Sequence, residues 1–541
     1  MPGMSMRIRA ARNIPLSRPF RVFCVASALG ATGLAHAQLN QDAISSAAPE
    51  LPAARGDGEP AAAVAQKRFF SITPSLSLDW MWTDNIRLQT GDSKESDFVM
   101  TTRPGLRFLA DGDRLKASVD YSLSRLSHAR DRSLDRNQNT LDATGSYELV
   151  ENFAFVDFSG NISQQTVSAF GQRSDNDAAF NANRTEVATY RLSPYVRGQL
   201  GDFASYQARY SRLSTRTKSQ LALDYDSNDM SLVLNGNSQQ RVFSWSVDLS
   251  HQELDYSNGL SFESDRARMF LTHPITPQLA VSVIPGWESN NYATAEKDSR
   301  ATIGGRVNWA ASDRTSLSAL LEKRFFGRAY SVDFEHRTPR TAWRYSNSRD
   351  ASVTPNQLGT TSLGPLYDLL FFQFASVEPD PIRRAQLVQS FLLANGLNGN
   401  TNVNLGFLTS AVSLARRQDL SFTLLGRRDT LTFLLSQSEN SRLLQNSGDL
   451  ADSNFVRQHG FTITYSHRLT PESTLTVLGT QSRASGQLAL QSSTLRALNV
   501  SLSTRLGKHT TATMALRRAQ SNNTLSSYSE TAVRGGISLQ F

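Results

Sequence analysis

Side chains able to do acid–base or nucleophilic chemistry are plentiful in this sequence, but they are not arranged for it. Eight histidines are scattered along 541 residues. His336, in Phe334-Glu335-His336-Arg337, is the most conspicuous of them. A histidine could activate one of the many serines for attack on a lipid or glycan ester. That chemistry needs base and nucleophile within hydrogen-bond reach, and no spacing here recommends such a pair. There is no GxxxxGKS/T phosphate loop, no HExxH zinc motif and no CxxC pair. The sequence therefore assigns no catalytic residue, no metal and no cofactor, and His336 reads as a polar residue at a strand end.

A different use of charge is written into the alternation of the chain. Arg103, Arg107, Lys116, Asp120, Asp142, Glu148, Asp157, Arg191, Arg197, Arg209, Arg306, Asp333, Glu335, Arg337 and Arg344 fall on the polar parity of segments that are apolar at every other position. With Ser, Thr, Asn and Gln between them, they would form a mixed-sign wall. Such a wall suits passage of a hydrated, hydrogen-bonding solute such as a sugar chain, and it suits structural salt-bridge bracing equally. The formal charge of +8 does not point to nucleic acid. Five arginines and no acid lie in Met1–Ala37, so the remainder carries only +3. Its basic residues are interleaved with acids, not gathered in the sustained patch that nucleic-acid binding needs.

The elements that would position these charges have a period of two. Ile72, Pro74, Leu76, Leu78, Trp80 and Trp82 alternate with Thr73, Ser75, Ser77 and Asp79. Leu115, Ala117, Val119, Tyr121 and Leu123 form a second such run, and Ala188 to Leu200 a third. Phe243–Leu249, Ala301–Trp309 and Phe461–Tyr465 repeat the pattern. Mean hydropathy is −0.36, and no mature segment approaches the roughly 20 apolar residues of a membrane helix. Alternating strands average to neutral and escape such a scan.

Short turns such as Asp111-Gly112-Asp113, Glu151-Asn152, Gly201-Asp202 and Thr276-Pro277 alternate with long polar connections at 85–97, 128–137, 163–185, 214–229 and 290–298. Trp80, Trp82, Tyr121, Tyr147, Trp309 and Tyr345 suit interfacial girdles, and the last run, Val533 to Leu539, ends on Phe541. The prediction is an all-β chain forming a transmembrane antiparallel outer-membrane β-barrel of about 22 strands, within 18–24. A water-soluble β-sandwich also alternates. The persistence of the pattern and the aromatic segment ends favour the barrel, whose terminal strand would be read by the barrel-assembly machinery through Phe541.

Arg18 and Arg21 precede the apolar run Val22–Ala35, which ends in Ala35-His36-Ala37. This pattern predicts a cleaved secretory signal over 1–37, with the cut before Gln38, for export to a Gram-negative outer membrane. The only cysteine, Cys24, lies within it, so the mature chain has no disulfide. Residues 38–67, rich in Ala, Pro, Glu and Gly, read as a flexible periplasmic lead-in, and 68–541 as the barrel. Within the barrel the period changes to helical over 360–398. Asp380-Pro381 starts a helix with Ile382, Ala385, Val388, Phe391 and Leu392 on one face, and Asn395-Gly396 stops it. By parity this insert is extracellular. Leu369, Phe372, Ile382, Val388, Phe391 and Leu392 are candidates to plug the lumen or to lid it.

Several stretches resemble the PEP-CTERM system-associated outer-membrane protein family. They are Ile72-Thr73-Pro74-Ser75-Leu76-Ser77-Leu78 with Thr83-Asp84-Asn85, Ile162-Ser163-Gln164-Gln165 with Ser168-Ala169-Phe170-Gly171, Glu322-Lys323-Arg324-Phe325-Phe326-Gly327, and His336-Arg337-Thr338-Pro339-Arg340-Thr341-Ala342-Trp343. The insert Tyr367–Gly396 is also similar. The resemblance spans nearly the whole mature chain. It implies a role in exopolysaccharide export or biofilm matrix assembly, with polysaccharide, outer-membrane lipid and other export components as partners, and it carries over no catalytic residue. A non-transporting structural or adhesion barrel, and an outer-membrane hydrolase, are the other functional classes.

Overall fold

The computed structural model describes Phe69–Phe541, apart from 175, 177, 220–223, 237–242, 295, most of 354–411, 444–453, 489 and 524–526. Within 354–411 only 370, 371, 374, 384, 388 and 406–409 are described. The predicted signal and lead-in lie outside the described residues.

Twenty-two strands follow one another in chain order. The first eleven are β1 (Phe70–Thr83), β2 (Asp97–Asp111), β3 (Leu115–His128), β4 (Arg136–Val150), β5 (Ala154–Thr166), β6 (Arg184–Leu200), β7 (Ala204–Thr217), β8 (Tyr225–Gly236), β9 (Ser244–Tyr256), β10 (Ser261–Thr276) and β11 (Leu279–Asn290). The rest are β12 (Asp298–Ser312), β13 (Thr315–Arg324), β14 (Gly327–Arg337), β15 (Thr341–Ser352), β16 (Ser413–Leu425), β17 (Asp429–Arg442), β18 (Phe455–Arg468), β19 (Ser473–Ser485), β20 (Ser492–Arg505), β21 (Thr510–Asn523) and β22 (Ser527–Gln540). Each pairs antiparallel with the next, and β1 also pairs with β22 from Ser75↔Gln540 to Thr83↔Ala532. The ring is therefore closed and the sandwich alternative is excluded. Closure satisfies every strand edge, which matters because an unpaired backbone group in hydrocarbon costs several kcal/mol.

Register carries the alternation round the ring, since partners across a strand pair share a face. Leu78, Trp80 and Trp82 lie outward and exposed on β1, and Leu106, Tyr121, Tyr147, Leu192, Trp309, Trp343, Phe461, Leu502 and Ile537 continue that face. The predicted girdle residues all fall on it. On β20 and the turn that follows it, the outward positions from Arg496 to Leu506 span ten residue steps, a height of about 25 Å at ~3.3 Å per residue and a tilt of ~40°. That is the thickness of an outer-membrane apolar band, and the chain is an outer-membrane β-barrel.

Toward the loop-bearing end the two faces exchange character. On β9 the outward residues run Trp245, Val247, Leu249 and then His251, Glu253, Asp255. The inward ones run Ser246, Asp248, Ser250, Gln252 and then Leu254, Tyr256, both buried. On β7, Tyr206, Ala208 and Tyr210 give way outward to Arg212, and inward Arg209 and Ser211 give way to buried Leu213. Inward Met81, Val99, Leu126, Val187, Phe262, Val456, Leu495 and Tyr528 extend this apolar collar inside the mouth. The strands thus leave the membrane before they end, and the collar requires something to pack against it.

Connections alternate in the predicted sense. One end has tight turns such as 151–153 and 277–278, and the other has the long loops, including 84–96, 167–183 and 353–412. Three connections on the loop side are short, 257–260, 325–326 and 524–526.

Candidate functional site: the lumen and its mouth

All fifteen charged residues read from the polar parity lie on the inward face. Most are braced. Arg107 donates to Asp120 at 2.5 and 2.7 Å, Arg209 to Asp157 at 2.7 Å and Arg103 to Ser124 Oγ at 2.9 Å. Arg344 lies 3.4 Å from Glu335, and Asp333 accepts from Ser331. Arg209 and Arg197 stack on Tyr195 and Phe155, 4.1 and 4.5 Å from the ring centres, and Arg306 lies 4.6 Å from that of Phe270. Asp142 stands beside Asp120 across the β3–β4 pair. Lys116 and Arg191 share the inward wall. Glu148 accepts the Asn152 backbone N–H, so it caps a turn. Arg337 donates to the Asp313 carbonyl at the turn end. His336 lies on the outward parity at that end, its ring nitrogen 2.8 Å from Thr315 Oγ1.

The strongest lumen network was not among the residues read from the sequence. Glu322 on β13 accepts from Arg266 on β10 at 2.6 Å and lies 3.8 Å from Arg268. Arg268 also donates to Asp248 at 3.2 Å. The bridge spans two intervening strands, and the inward positions beneath it are Gly286 on β11 and Gly304 on β12. A Cβ on Gly286 would meet the Ala267 carbonyl at 2.7 Å, and one on Gly304 the Leu321 carbonyl at 2.9 Å. Higher up, Arg324 donates to Glu288 at 2.9 Å and to Asp350, while Glu288 accepts the Phe325 N–H at 2.6 Å. Extending the same parity count to β10 and β13 would have found these residues.

The mouth holds the second feature missed. Loop 167–183, expected only as a long polar connection, folds inward. Ala169 packs with Val456 of β18 and Ala484 of β19, and with Phe407. β18 is nine strands from β5 in a ring of 22, so the loop reaches the far wall. For 22 strands spaced ~4.8 Å and tilted ~40°, the ring radius is about 20 Å. Further along, Asn176 donates to Glu530 at 2.9 Å and accepts from Arg534 at 2.6 Å, both on β22. Glu530, fully buried, also accepts from Thr83 Oγ1 at 3.0 Å and from the Arg517 guanidinium. Arg136 donates to the carbonyls of Ala178 and Ala179, and Tyr528 Oη to that of Arg173. Loop 84–96 joins the layer: Phe180 N–H donates to the Ile86 carbonyl and Gln172 to that of Leu88.

Arg173 is the exception in this well-tied layer. Its side chain is buried, and no described residue offers an acceptor to any of its three nitrogens. Burial brings its pKa down to about 10.

Of the proposed plug residues, Leu369, Phe372, Ile382, Phe391 and Leu392 lie outside the described residues. Val388 is helical and fully buried, as is Leu370, and Arg384 lies 4.8 Å from the ring centre of Phe371. After the insert, the Leu408 N–H donates to the Thr166 carbonyl at 3.1 Å, which fastens the returning chain to β5 across the mouth from β16.

No family model and no curated protein matches this sequence. Among solved structures, the siderophore receptor PirA from Pseudomonas aeruginosa is 9% identical over 87% of this chain and 80% of its own, with a TM-score of 0.44. The FrpB iron transporter from Neisseria meningitidis, in its F5-1 apoprotein form, is 10% identical over 86% and 81%, with a TM-score of 0.47. OccK5 of Pseudomonas aeruginosa is 10% identical over 87% and 98%, with a TM-score of 0.30. At these identities the likeness concerns the barrel alone.

What the arrangement can do follows from its two levels. Below, the wall presents guanidinium, carboxylate and hydroxyl groups to water. Above, loops 84–96 and 167–183 and the segment 406–409 cover the apolar collar. Loop 167–183 lies across the mouth, tied to β22 through Asn176 and packed on β18 and β19 through Ala169.

Proposed function

We propose that this barrel is a gated conduit, or an accessory component of one, for an extracellular polysaccharide in export or biofilm matrix assembly. The observation that carries the reading is a polar, mixed-sign lumen with a loop folded across its mouth and held through side-chain hydrogen bonds at Asn176. Hydroxyl-rich polymers are matched by such a wall, where bidentate and charge-assisted contacts are available along the path. The sequence resemblance to PEP-CTERM system-associated outer-membrane proteins supplies the polymer class. Other export components, and assembly machinery acting on Phe541, belong to the same proposal.

A non-transporting structural or adhesion barrel is the second reading, favoured by the cross-bracing of Arg266, Arg268, Glu322 and Asp248. Planar-bilayer recording separates the two. Replacement of 171–181 by a short Gly-Ser linker, together with deletion of Pro365–Gly396, is expected to turn a closed barrel into a large, steadily conducting pore that polysaccharide blocks reversibly. A barrel that stays closed in that variant, or conducts but ignores the polymer, refutes the conduit.

A further inference from the structure

The outward face of β18–β21 carries a charge pattern that neither the lumen nor the mouth uses. On each strand an arginine stands above the outward apolar run at the loop-bearing end, directly on β20 and β21 and one polar residue further, past His459 and Gln481, on β18 and β19. Arg457 lies above Phe461, Ile463 and Tyr465 on β18, and Arg483 above Gly479, Val477 and Leu475 on β19. Arg496 lies above Leu498, Val500 and Leu502 on β20, and Arg518 above Leu516 and Met514 on β21. All four are exposed.

Register makes them neighbours. Arg457 faces Ser485, two residues from Arg483; Arg483 faces Thr494, two from Arg496; Arg496 faces Gln520, two from Arg518. Diagonal neighbours of this kind stand about 7–8 Å apart. Among the described residues of β18–β22 no carboxylate lies on the outward face. Arg457 alone has an ionic partner, Glu439 of β17 at 2.8 Å, and Arg518 donates to Thr531 Oγ1 at 2.8 Å. Arg483 and Arg496 have no described partner.

The same level on the opposite wall is built differently. There Arg216 pairs with Asp226 at 3.0 Å, Lys297 with Glu263 and Asp265 at 2.5 and 2.9 Å, and His251 with Asp265 at 2.8 Å. Charge is neutralised on that side and left open on this one.

We infer that Arg457, Arg483, Arg496 and Arg518 form a binding site for the phosphate groups of an outer-leaflet glycolipid. The position selects the occupant. The arginines cap the apolar band, so a ligand must place acyl chains against Leu498, Leu516 and Val477 and anionic groups one step higher. Guanidinium forks match phosphate oxygens bidentately. The 7–8 Å spacing lets one headgroup with two phosphates engage adjacent strands.

The test uses the refolded full chain in detergent, with lipid A as the probe and native mass spectrometry or thermophoresis as the readout. Three basic side chains at an anionic lipid surface contribute roughly a factor of five each, so Arg483→Gln/Arg496→Gln/Arg518→Gln is expected to weaken lipid A binding about a hundredfold. Arg212→Gln/Arg216→Gln on the opposite wall should leave it unchanged. Heat-modifiable gel migration checks that each variant is folded, and the single Arg496→Gln serves if the triple variant is not. Equal binding by wild type and a folded belt variant overturns the site. So does equal affinity for lipid A and its fully dephosphorylated form. Full competition by millimolar inorganic phosphate would make it a free-anion site and overturn the lipid assignment.

Discussion

Glu530→Ala tests the account of the mouth most directly. Glu530 is fully buried and accepts from three groups: the buried Arg517 guanidinium, Thr83 Oγ1 and Asn176 Nδ2. Alanine takes the carboxylate from a buried guanidinium, and breaking such a pair from one side costs about 3–5 kcal/mol. The Thr83 and Asn176 hydrogen bonds contribute roughly 1 kcal/mol each, partly within that figure. The expected loss is therefore about 4 kcal/mol, read as a shift in the urea unfolding curve of the barrel in detergent or lipid. Asn176 loses its acceptor on β22, so loop 167–183 should also visit unseated states, seen as frequent opening events in bilayer recordings. Replacing both partners, in Glu530→Ala/Arg517→Met, should recover most of the stability, because the uncompensated charge is gone. Opening events should persist in the double variant. A loss below about 1 kcal/mol for Glu530→Ala, the range of an exposed pair, with unchanged recordings, would mean that water reaches the carboxylate and the mouth is not packed as described.

Arg173→Met should be neutral or stabilising in the same unfolding assay, since it removes a buried cation that no described residue pairs; a clear destabilisation would show that the guanidinium has a partner in the folded protein. Gly286→Ala should cost roughly 1–3 kcal/mol and lower refolding yield, because its Cβ would stand 2.7 Å from the Ala267 carbonyl and 2.6 Å from Thr302 Oγ1; wild-type stability would refute the close approach. Burial pushes the Tyr292 phenol up to about 12, from an ordinary value of 10. An acid raised on folding stabilises below its unfolded value and loses that contribution as pH rises through the folded one. Stability should therefore fall between pH 10 and 12, less steeply in Tyr292→Phe, and equal slopes would refute the burial of this hydroxyl.

The strands were legible because lipid on one side and water on the other impose a strict period of two. That rule found the inward charges one at a time, Arg107 and Asp157 among them, and gave a strand number that the ring matches. It did not reveal which of them pair over several strands, since Glu322 meets Arg266 only after the sheet has folded past Gly286 and Gly304. The inward turn of loop 167–183 was hidden for another reason. Most of its residues are polar or small, and its partners Asn176–Glu530 and Ala169–Val456 lie hundreds of residues apart. A signal was nevertheless present: Leu126, Leu213, Leu254 and Tyr528 break the alternation by placing apolar groups on the polar parity. Such breaks at strand tops indicate an interior that is covered. The insert's helical period was read from Ile382 to Leu392, and Val388 is both helical and buried.

The exchange of faces on β7 and β9 fixes a waterline. Sinking the barrel by one pleat, about 5 Å of depth at the usual tilt, would draw His251 and Arg212 into hydrocarbon. Raising it would lift Tyr210 out of the apolar band into water. A charge drawn just inside the interface costs up to ~1 kcal/mol, rising toward the midplane, and the change-over recurs on several strands, so vertical displacement is opposed from several sides at once. A membrane of unsuitable thickness must therefore stretch or thin around this protein, because the protein is keyed to a single draught.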